Sequence, residues 1–168
     1  MSERIYGFPP VFAADARILV LGSMPSVESL KQNFYYAHPR NAFWHILPEI
    51  LGEKPAETLE EKKNMLIRHK IALWDTVGSC EREGSLDSAI RGAQANDFDM
   101  LFAACPDIEY IFFNGSAAQQ LFVRMVGLDE SRFSYHRLPS TSPAYTISYE
   151  KKLSAWKRAF EEANYEPL

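Results

Sequence analysis

The sequence predicts an α/β fold: a single domain, residues 1–168, with a central, mostly parallel four-stranded sheet flanked by helices on both faces. Three observations carry that expectation. Residues 17–21, 71–74 and 108–113 are short apolar runs and residues 133–138 alternate, so each is too brief for a helix and reads as a strand. Each run stops at a turn-forming residue, namely Gly22, Asp75, Asn114 or Pro139. Stretches with helical apolar spacing lie between the runs, and such alternation favours parallel pairing because the helix returns the chain to the start of the next strand.

Taken in order, residues 5–16 carry Phe8-Pro9-Pro10 and read as an extended lead-in. Ile18, Leu19, Val20 and Leu21 make the first buried strand, ended by Gly22. Ser26, Ser29 and Lys31 open a short helical piece. From Asn41, apolar residues fall at Phe43, Trp44, Ile46, Leu47, Ile50 and Leu51, which is 3.6-residue spacing with Gly52 as the stop. After a polar loop at 53–57, Thr58-Leu59-Glu60-Glu61 has the form of a capping box and starts a charged helix to about Lys70. Ile71-Ala72-Leu73-Trp74 is the second strand. Residues 78–95 are small and charged and predict a loop with at most a short helix. Asn96 or Asp97 caps a helix running to about Ala104, before Pro106. The third strand is 108–113, Asn114-Gly115-Ser116 turns into a helix ending near Gly127, and 133–138 is the fourth strand. A loop at 138–144 leads to a last helix from Tyr149 to about Ala163.

Composition narrows the classes of function. The chain is 46% hydrophobic and 24% charged, ordinary for a globular protein, and no apolar run approaches the roughly 20 residues that span a bilayer. Met1-Ser2-Glu3-Arg4 has no basic flank leading into an apolar core, so no secretory signal is expected. Cys80 and Cys105 are too few for a disulfide framework or a four-thiolate metal site, and a reducing, cytoplasmic compartment is expected. The net charge of −4 argues against a protein that coats nucleic acid through many Lys and Arg contacts. It leaves room for an enzyme that touches a few phosphates through backbone N–H groups, hydroxyls and one Arg.

Three polar stretches carry the candidate chemistry. Gly22-Ser23-Met24-Pro25-Ser26 is either a tight strand-to-helix turn or a cradle for an anion or base edge, with Ser23 and Ser26 as hydroxyl donors. It lacks the Gly-Lys-Ser/Thr ending of a nucleotide-phosphate loop. Tyr35-Tyr36-Ala37-His38-Pro39-Arg40-Asn41-Ala42-Phe43-Trp44 gathers aromatics, a His, an Arg and an Asn before a helix. Asn41 is either a helix cap or an orienter of water, Tyr36 offers a face to a flat base, and His38 is either packed or an acid–base group. Leu138-Pro139-Ser140-Thr141-Ser142-Pro143-Ala144 is a small polar loop in which Thr141 and Ser142 can also simply cap turns. Asn114-Gly115-Ser116 reads as a strand-to-helix turn and the Glu60, Glu61, Lys62, Lys63 face as solvated surface, neither assigned to the site.

These three stretches, in this order, resemble the uracil-DNA glycosylase superfamily. Within it the chain is most like the hypoxanthine-DNA (deoxyinosine) glycosylase branch, with the mismatch-specific uracil glycosylases next. The resemblance implies a uracil-DNA glycosylase-like α/β/α sandwich and a monofunctional DNA N-glycosylase that needs no cofactor and no metal. It implies that Asn41 is catalytic, taking over from an Asn or Asp that relatives often carry where this chain has Met24. Tyr36 matches the aromatic that stacks on the flipped base, with Ser23 and Met24 beside it. Asp75 matches the reader of the base edge, since a carboxylate accepts from the N1–H of hypoxanthine, a donor adenine lacks; a loop-capping Asp is the alternative. Ser26, His38, Arg40, Ser140, Thr141, Ser142 and Tyr145 are implied to contact DNA, with Tyr145 or Arg137 filling the gap left by the base.

Leu138 stands where many relatives have His or Asn, which removes the usual donor to an anionic leaving uracil. The expected partner is DNA containing a deaminated base, with no membrane and no second subunit. Three alternatives stay open. They are a uracil- or mismatch-specific glycosylase, a DNA-binding relative weakened in catalysis, and a hydrolase of free nucleosides.

Overall fold

The computed structural model describes residues 3–163; residues 1–2 and 164–168, at the ends of the expected domain, lie outside the described residues. At its centre runs a four-stranded parallel sheet. Its strands are β2 (Ile18–Gly22), β3 (Ile71–Asp75), β6 (Tyr110–Asn114) and β7 (Ser134–Leu138), in the spatial order β3-β2-β6-β7. β2 pairs with β3 from Ile18↔Ile71 to Gly22↔Asp75 and with β6 from Ile18↔Tyr110 to Leu21↔Phe113. Ile18, Leu19, Val20 and Leu21 are all buried, and successive strand residues face opposite sides, so both faces of β2 are covered.

Among the described residues six α-helices accompany the sheet: α1 (Val27–Gln32), α2 (Phe43–Leu51), α3 (Leu59–Arg68), α4 (Phe98–Ala104), α5 (Ser116–Met125) and α6 (Tyr149–Glu162). Their starts follow the sequence closely. Ser26, Asp97 and Ser148 cap α1, α4 and α6 through their side chains. Thr58 and Glu61 form the expected reciprocal capping box on α3. α2 stops at Gly52, whose φ of 68° is a left-handed conformation that favours glycine. The large apolar side chains of α2 and α6, among them Phe43, Ile46, Leu47, Trp156 and Phe160, join the sheet residues in one continuous core.

Residues 78–95 correct the sequence expectation of a loop. They contain β4 (Val77–Glu81) and β5 (Arg91–Ala95), which form a separate antiparallel sheet with β1 (Arg4–Tyr6) in the order β1-β4-β5. The lead-in at 5–16 is likewise more ordered than expected, since Ile5 and Tyr6 belong to β1 and Val11 bridges Leu73. Few large apolar residues mark these strands, and the β4–β5 register shifts twice, which erases any simple alternation. Polar tethers hold them: Arg4 Nε donates to Ser79 Oγ at 3.1 Å and Arg4 Nη2 to Gly92 O at 2.7 Å. Tertiary contacts of this kind override local propensity. Among the described residues no helix is long and apolar enough to cross a membrane.

Candidate active site

The chain order and the spatial order of the sheet together locate a site. After β2 the chain forms β3 on one side, then crosses to β6 on the other, and ligands of such sheets bind beyond the carboxyl ends of the strands near that reversal. Here the strand ends are Gly22, Asp75, Asn114 and Leu138, brought level by the parallel register. A pocket of about 100 Å³ opens above them, lined by Ser23, Met24, Ser26, Tyr36, Asn41 and Asp75 from one side and by Asn114, Ser140, Thr141 and Ser142 from the other. It is well below the roughly 300–1,000 Å³ of drug-sized sites and suits one flat ring.

Tyr36 is held in an unusual place. Its φ is 52°, uncommon for a non-glycine residue, so its surroundings must fix it. Tyr35, just before it, donates through its hydroxyl to Pro9 O at 2.9 Å, and Tyr35 O accepts from Trp44 Nε1 at 2.9 Å. On the other side Ala37 N donates to Ser29 Oγ at 3.1 Å. One side of the Tyr36 ring packs on Phe43, with centroids 4.5 Å apart, and the residue also lines the pocket. Its hydroxyl is buried without a hydrogen bond, beside Asp75 over Gly22. Only glycine fits at 22, because a Cβ there would lie 2.4 Å from Asp75 Oδ1 and 2.8 Å from the Tyr36 hydroxyl.

Asp75 is 3% exposed and its Oδ2 has no hydrogen-bond partner. Burial pushes its pKa up to about 7, with repulsion from Asp87 adding to the rise and Arg82 opposing it. Burial first, and then the Asp75 charge, also pushes the Tyr35 and Tyr36 hydroxyls far above the usual tyrosine range. The side chain expected as a plain carboxylate is therefore an acid that titrates near neutrality.

Asn41 lies at the pocket edge just ahead of α2. Its Oδ1 accepts from Phe43 N at 3.0 Å, while Ala42 occupies the cap position itself and makes no side-chain cap. An amide oxygen has two lone pairs, so this bond leaves one free for a water. Ala42 N donates to Thr141 O at 2.9 Å, which ties the Asn41 segment to the opposite loop.

The remaining expected residues divide. Ser23 Oγ donates to Asp87 Oδ1 at 2.5 Å and Ser26 Oγ accepts from Ser29 N at 3.1 Å, both at the pocket wall. Met24 is buried and contributes an apolar surface. Ser140 and Ser142 accept from Ser142 N and Ala144 N, each at 3.1 Å, and so shape their own loop. Thr141 is fully buried and engaged by Asn114, so its hydroxyl is turned inward rather than toward a DNA backbone.

His38, Arg40 and Tyr145 do not line the pocket. His38 Nδ1 accepts from Arg40 N at 3.0 Å in a local turn, and Arg40 is exposed. Exposed Tyr145 lines a neighbouring groove with Arg137, Leu138 and Ser140. Sequence reasoning missed Asn114, Ser85 and Asp87, which the structure brings to the pocket. Asn114 was recoverable as the last residue of a central strand. Ser85 and Asp87 were not, because the β4–β5 connection, expected as a loop with at most a short helix, carries no motif of its own. Among the described residues no group of three or more His, Cys, Asp or Glu side chains is arranged to hold a metal.

Comparison with known proteins defines the class. The family model of the uracil DNA glycosylase superfamily matches residues 9–165, and the chain belongs to that superfamily. It is 34% identical over 158 residues to the hypoxanthine DNA glycosylase of Methanosarcina barkeri, a match that covers 92% of this chain and 97% of that protein. It is 36% identical over 155 residues to the hypoxanthine DNA glycosylase of Methanosarcina acetivorans, covering 92% and 96% respectively. The fold is similar to the solution NMR structure of a candidate uracil DNA glycosylase from Methanosarcina acetivorans, with a TM-score of 0.81 and 33% identity over 96% of this chain and 99% of that one.

Proposed function

We propose that this protein is a DNA glycosylase that excises hypoxanthine, leaving an abasic site. The observation that carries the reading is the meeting of Asn41, Tyr36 and Asp75 in one small pocket at the carboxyl ends of β2, β3 and β6. The two Methanosarcina relatives, both named hypoxanthine DNA glycosylases, support the same substrate.

In this reading the nucleotide swings out of the helix, at a cost of a few kcal/mol that is least for mispaired bases. Tyr36 stacks on the base and Asp75 pairs with its edge. Ser23 and Met24 complete the pocket wall. The bond between C1′ and the base nitrogen lengthens, and positive charge develops on the sugar. A water oriented by Asn41 Oδ1 adds its oxygen to C1′, its proton passes to solvent, and the electron pair of the broken bond leaves with the base. Ser26, Ser140 and Ser142 lie on loops at the rim that meet the sugar–phosphate backbone, joined outside the pocket by His38, Arg40 and Tyr145. The reading treats residues 1–168 as one glycosylase domain acting as a cytoplasmic monomer.

The discriminating experiment offers the protein an oligonucleotide containing one deoxyinosine and, separately, free deoxyinosine. Alkali-labile sites in the oligonucleotide with no hydrolysis of the nucleoside are expected. Hydrolysis of the free nucleoside at a comparable rate would replace the reading with a nucleoside hydrolase.

A further inference from the structure

The connection between β4 and β5 brings two groups to the pocket that the glycosylase chemistry above does not use. Ser85 Oγ accepts from Val27 N at 2.8 Å and so fastens the connection onto the start of α1. Asp87, in a short 3-10 turn at Asp87–Ala89, then reaches Ser23, whose hydroxyl donates to Asp87 Oδ1 at 2.5 Å. Asp87 is exposed, lines the same pocket as Asp75, and is held there by its hydrogen bond from Ser23.

Asp75 has the opposite surroundings. It is buried, and its Oδ2 meets no donor. Four titratable or charged groups bear on it: the Tyr35 and Tyr36 hydroxyls, Asp87 and Arg82. Arg82 is the one cation of the four, and it is turned to the backbone. It donates through Nη2 to Pro25 O and through Nε to Gly84 O at 2.9 Å. A buried carboxyl with no donor on one oxygen and a fixed negative charge nearby favours its neutral form. Its pKa of about 7 agrees with that geometry.

We propose that Asp87, clasped by Ser23 at the pocket wall, is a positioning residue that keeps Asp75 protonated, so that Asp75 pairs at two points with a ring N–H beside a C=O. The neutral acid donates its O–H to the base carbonyl and accepts the ring N–H on its other oxygen. Hypoxanthine offers that edge as N1–H and O6, and uracil offers it as N3–H and a neighbouring carbonyl. An ionised Asp75 still accepts the N–H but has no proton for the carbonyl oxygen, which then stays unpaired in a buried site. The ligand class is thus a lactam base, and Asp87 sets the pH range over which the pocket reads it. The inference rests on Asp75 being the base reader of the proposed function.

The test combines two measurements on the full chain. The first is an NMR titration of the Asp75 carboxyl carbon in the free protein, for wild type, Asp87→Asn and Asp87→Glu. Asn at 87 can still accept from Ser23 and removes only the charge, so the midpoint should fall in Asp87→Asn and return in Asp87→Glu. The second is the pH profile of single-turnover hypoxanthine release from an oligonucleotide. Wild-type release should decline as pH rises through the Asp75 titration, and Asp87→Asn should move that decline to lower pH with a several-fold loss above neutrality. Asp75→Asn, which cannot titrate, should show a release profile from which that decline is absent, whatever its absolute rate.

An unchanged Asp75 midpoint in Asp87→Asn overturns the proposal whatever the activity, as does a pH profile that Asp87→Asn merely scales down. Absence of any base release by wild type would fail the glycosylase reading and with it the base-reading part of the inference. The titration would still decide the Asp87–Asp75 coupling.

Discussion

The side-chain amide of Asn114 grips Thr141 twice: Nδ2 donates to Thr141 Oγ1 at 2.9 Å, and Oδ1 accepts from Thr141 N at 2.9 Å. Thr141 O in turn accepts from Ala42 N, so a chain of three hydrogen bonds runs from the end of β6, through the loop after β7, to the residue beside Asn41. The position of Asn41 therefore depends on a residue far from it in sequence.

Replacing Asn114 by Ala leaves Thr141 N and Oγ1 buried without these partners. Each orphaned group costs about 1–3 kcal/mol, so a loss of roughly 2–6 kcal/mol in stability is expected by urea unfolding. Single-turnover release should fall as well, because Ala42 loses a fixed anchor. Wild-type stability in Asn114→Ala would show that the strut is not structural.

Asp75 should make stability depend on pH. Its folded pKa of about 7 lies above the ordinary 3.8, so between those values the folded state holds a proton that the unfolded state has released. The favourable contribution is full below pH 3.8 and is lost as pH rises to about 7. A rise from 3.8 to about 7 corresponds to about 4 kcal/mol as an upper bound. Asp75→Asn should therefore be more stable than wild type at alkaline pH, with the difference shrinking toward pH 4. Parallel stability curves for the two proteins across that window would contradict the assignment.

Gly22 and Gly52 provide a matched pair of substitutions. A Cβ at 22 would meet Asp75 Oδ1 at 2.4 Å and the Tyr36 hydroxyl at 2.8 Å, whereas a Cβ at 52 meets nothing within 4 Å. Gly52→Ala is strained only by its φ of 68° and should cost about 1 kcal/mol with activity unchanged. Gly22→Ala should lower hypoxanthine release by tenfold or more through displacement of the two pocket residues. Equal activities in the two variants would mean that the packing over Gly22 is irrelevant to the site.

Salt should weaken DNA binding only gently. The net charge is −4 and no Lys or Arg lines the pocket. With two phosphates neutralised, a fourfold rise in salt lowers affinity about tenfold. A loss of about a thousandfold or more over that range would reveal a larger cationic footprint than the pocket and its rim provide.

How much of this was legible in the sequence follows from where the information is local. β2, β3 and β6 announce themselves as apolar runs because they are covered on both faces, and Thr58 with Glu61 announces α3 because a capping box is a three-residue relationship. Tyr36, Asn41 and Asp75, which the family resemblance implies as site residues, converge on one pocket. β4 and β5 were not legible, since Arg4 and main-chain pairing hold them rather than an apolar stripe. Asp87 shared that obscurity, because its relation to Ser23 and Asp75 spans a connection with no pattern of its own. The inward turn of Thr141 was hidden for a different reason: its partner, Asn114, looked like an ordinary turn residue until β6 and the loop after β7 were placed side by side.

Everything proposed for the pocket turns on Asn41 orienting the water that releases hypoxanthine. The most direct test of that role is single-turnover cleavage of matched oligonucleotides carrying one hypoxanthine, uracil or xanthine, with alkali to reveal abasic sites, for wild type beside Asn41→Ala. Wild type should release hypoxanthine preferentially, and Asn41→Ala, folded to the same thermal midpoint, should lose release by about two orders of magnitude or more. Near-normal hypoxanthine release by Asn41→Ala would contradict that role.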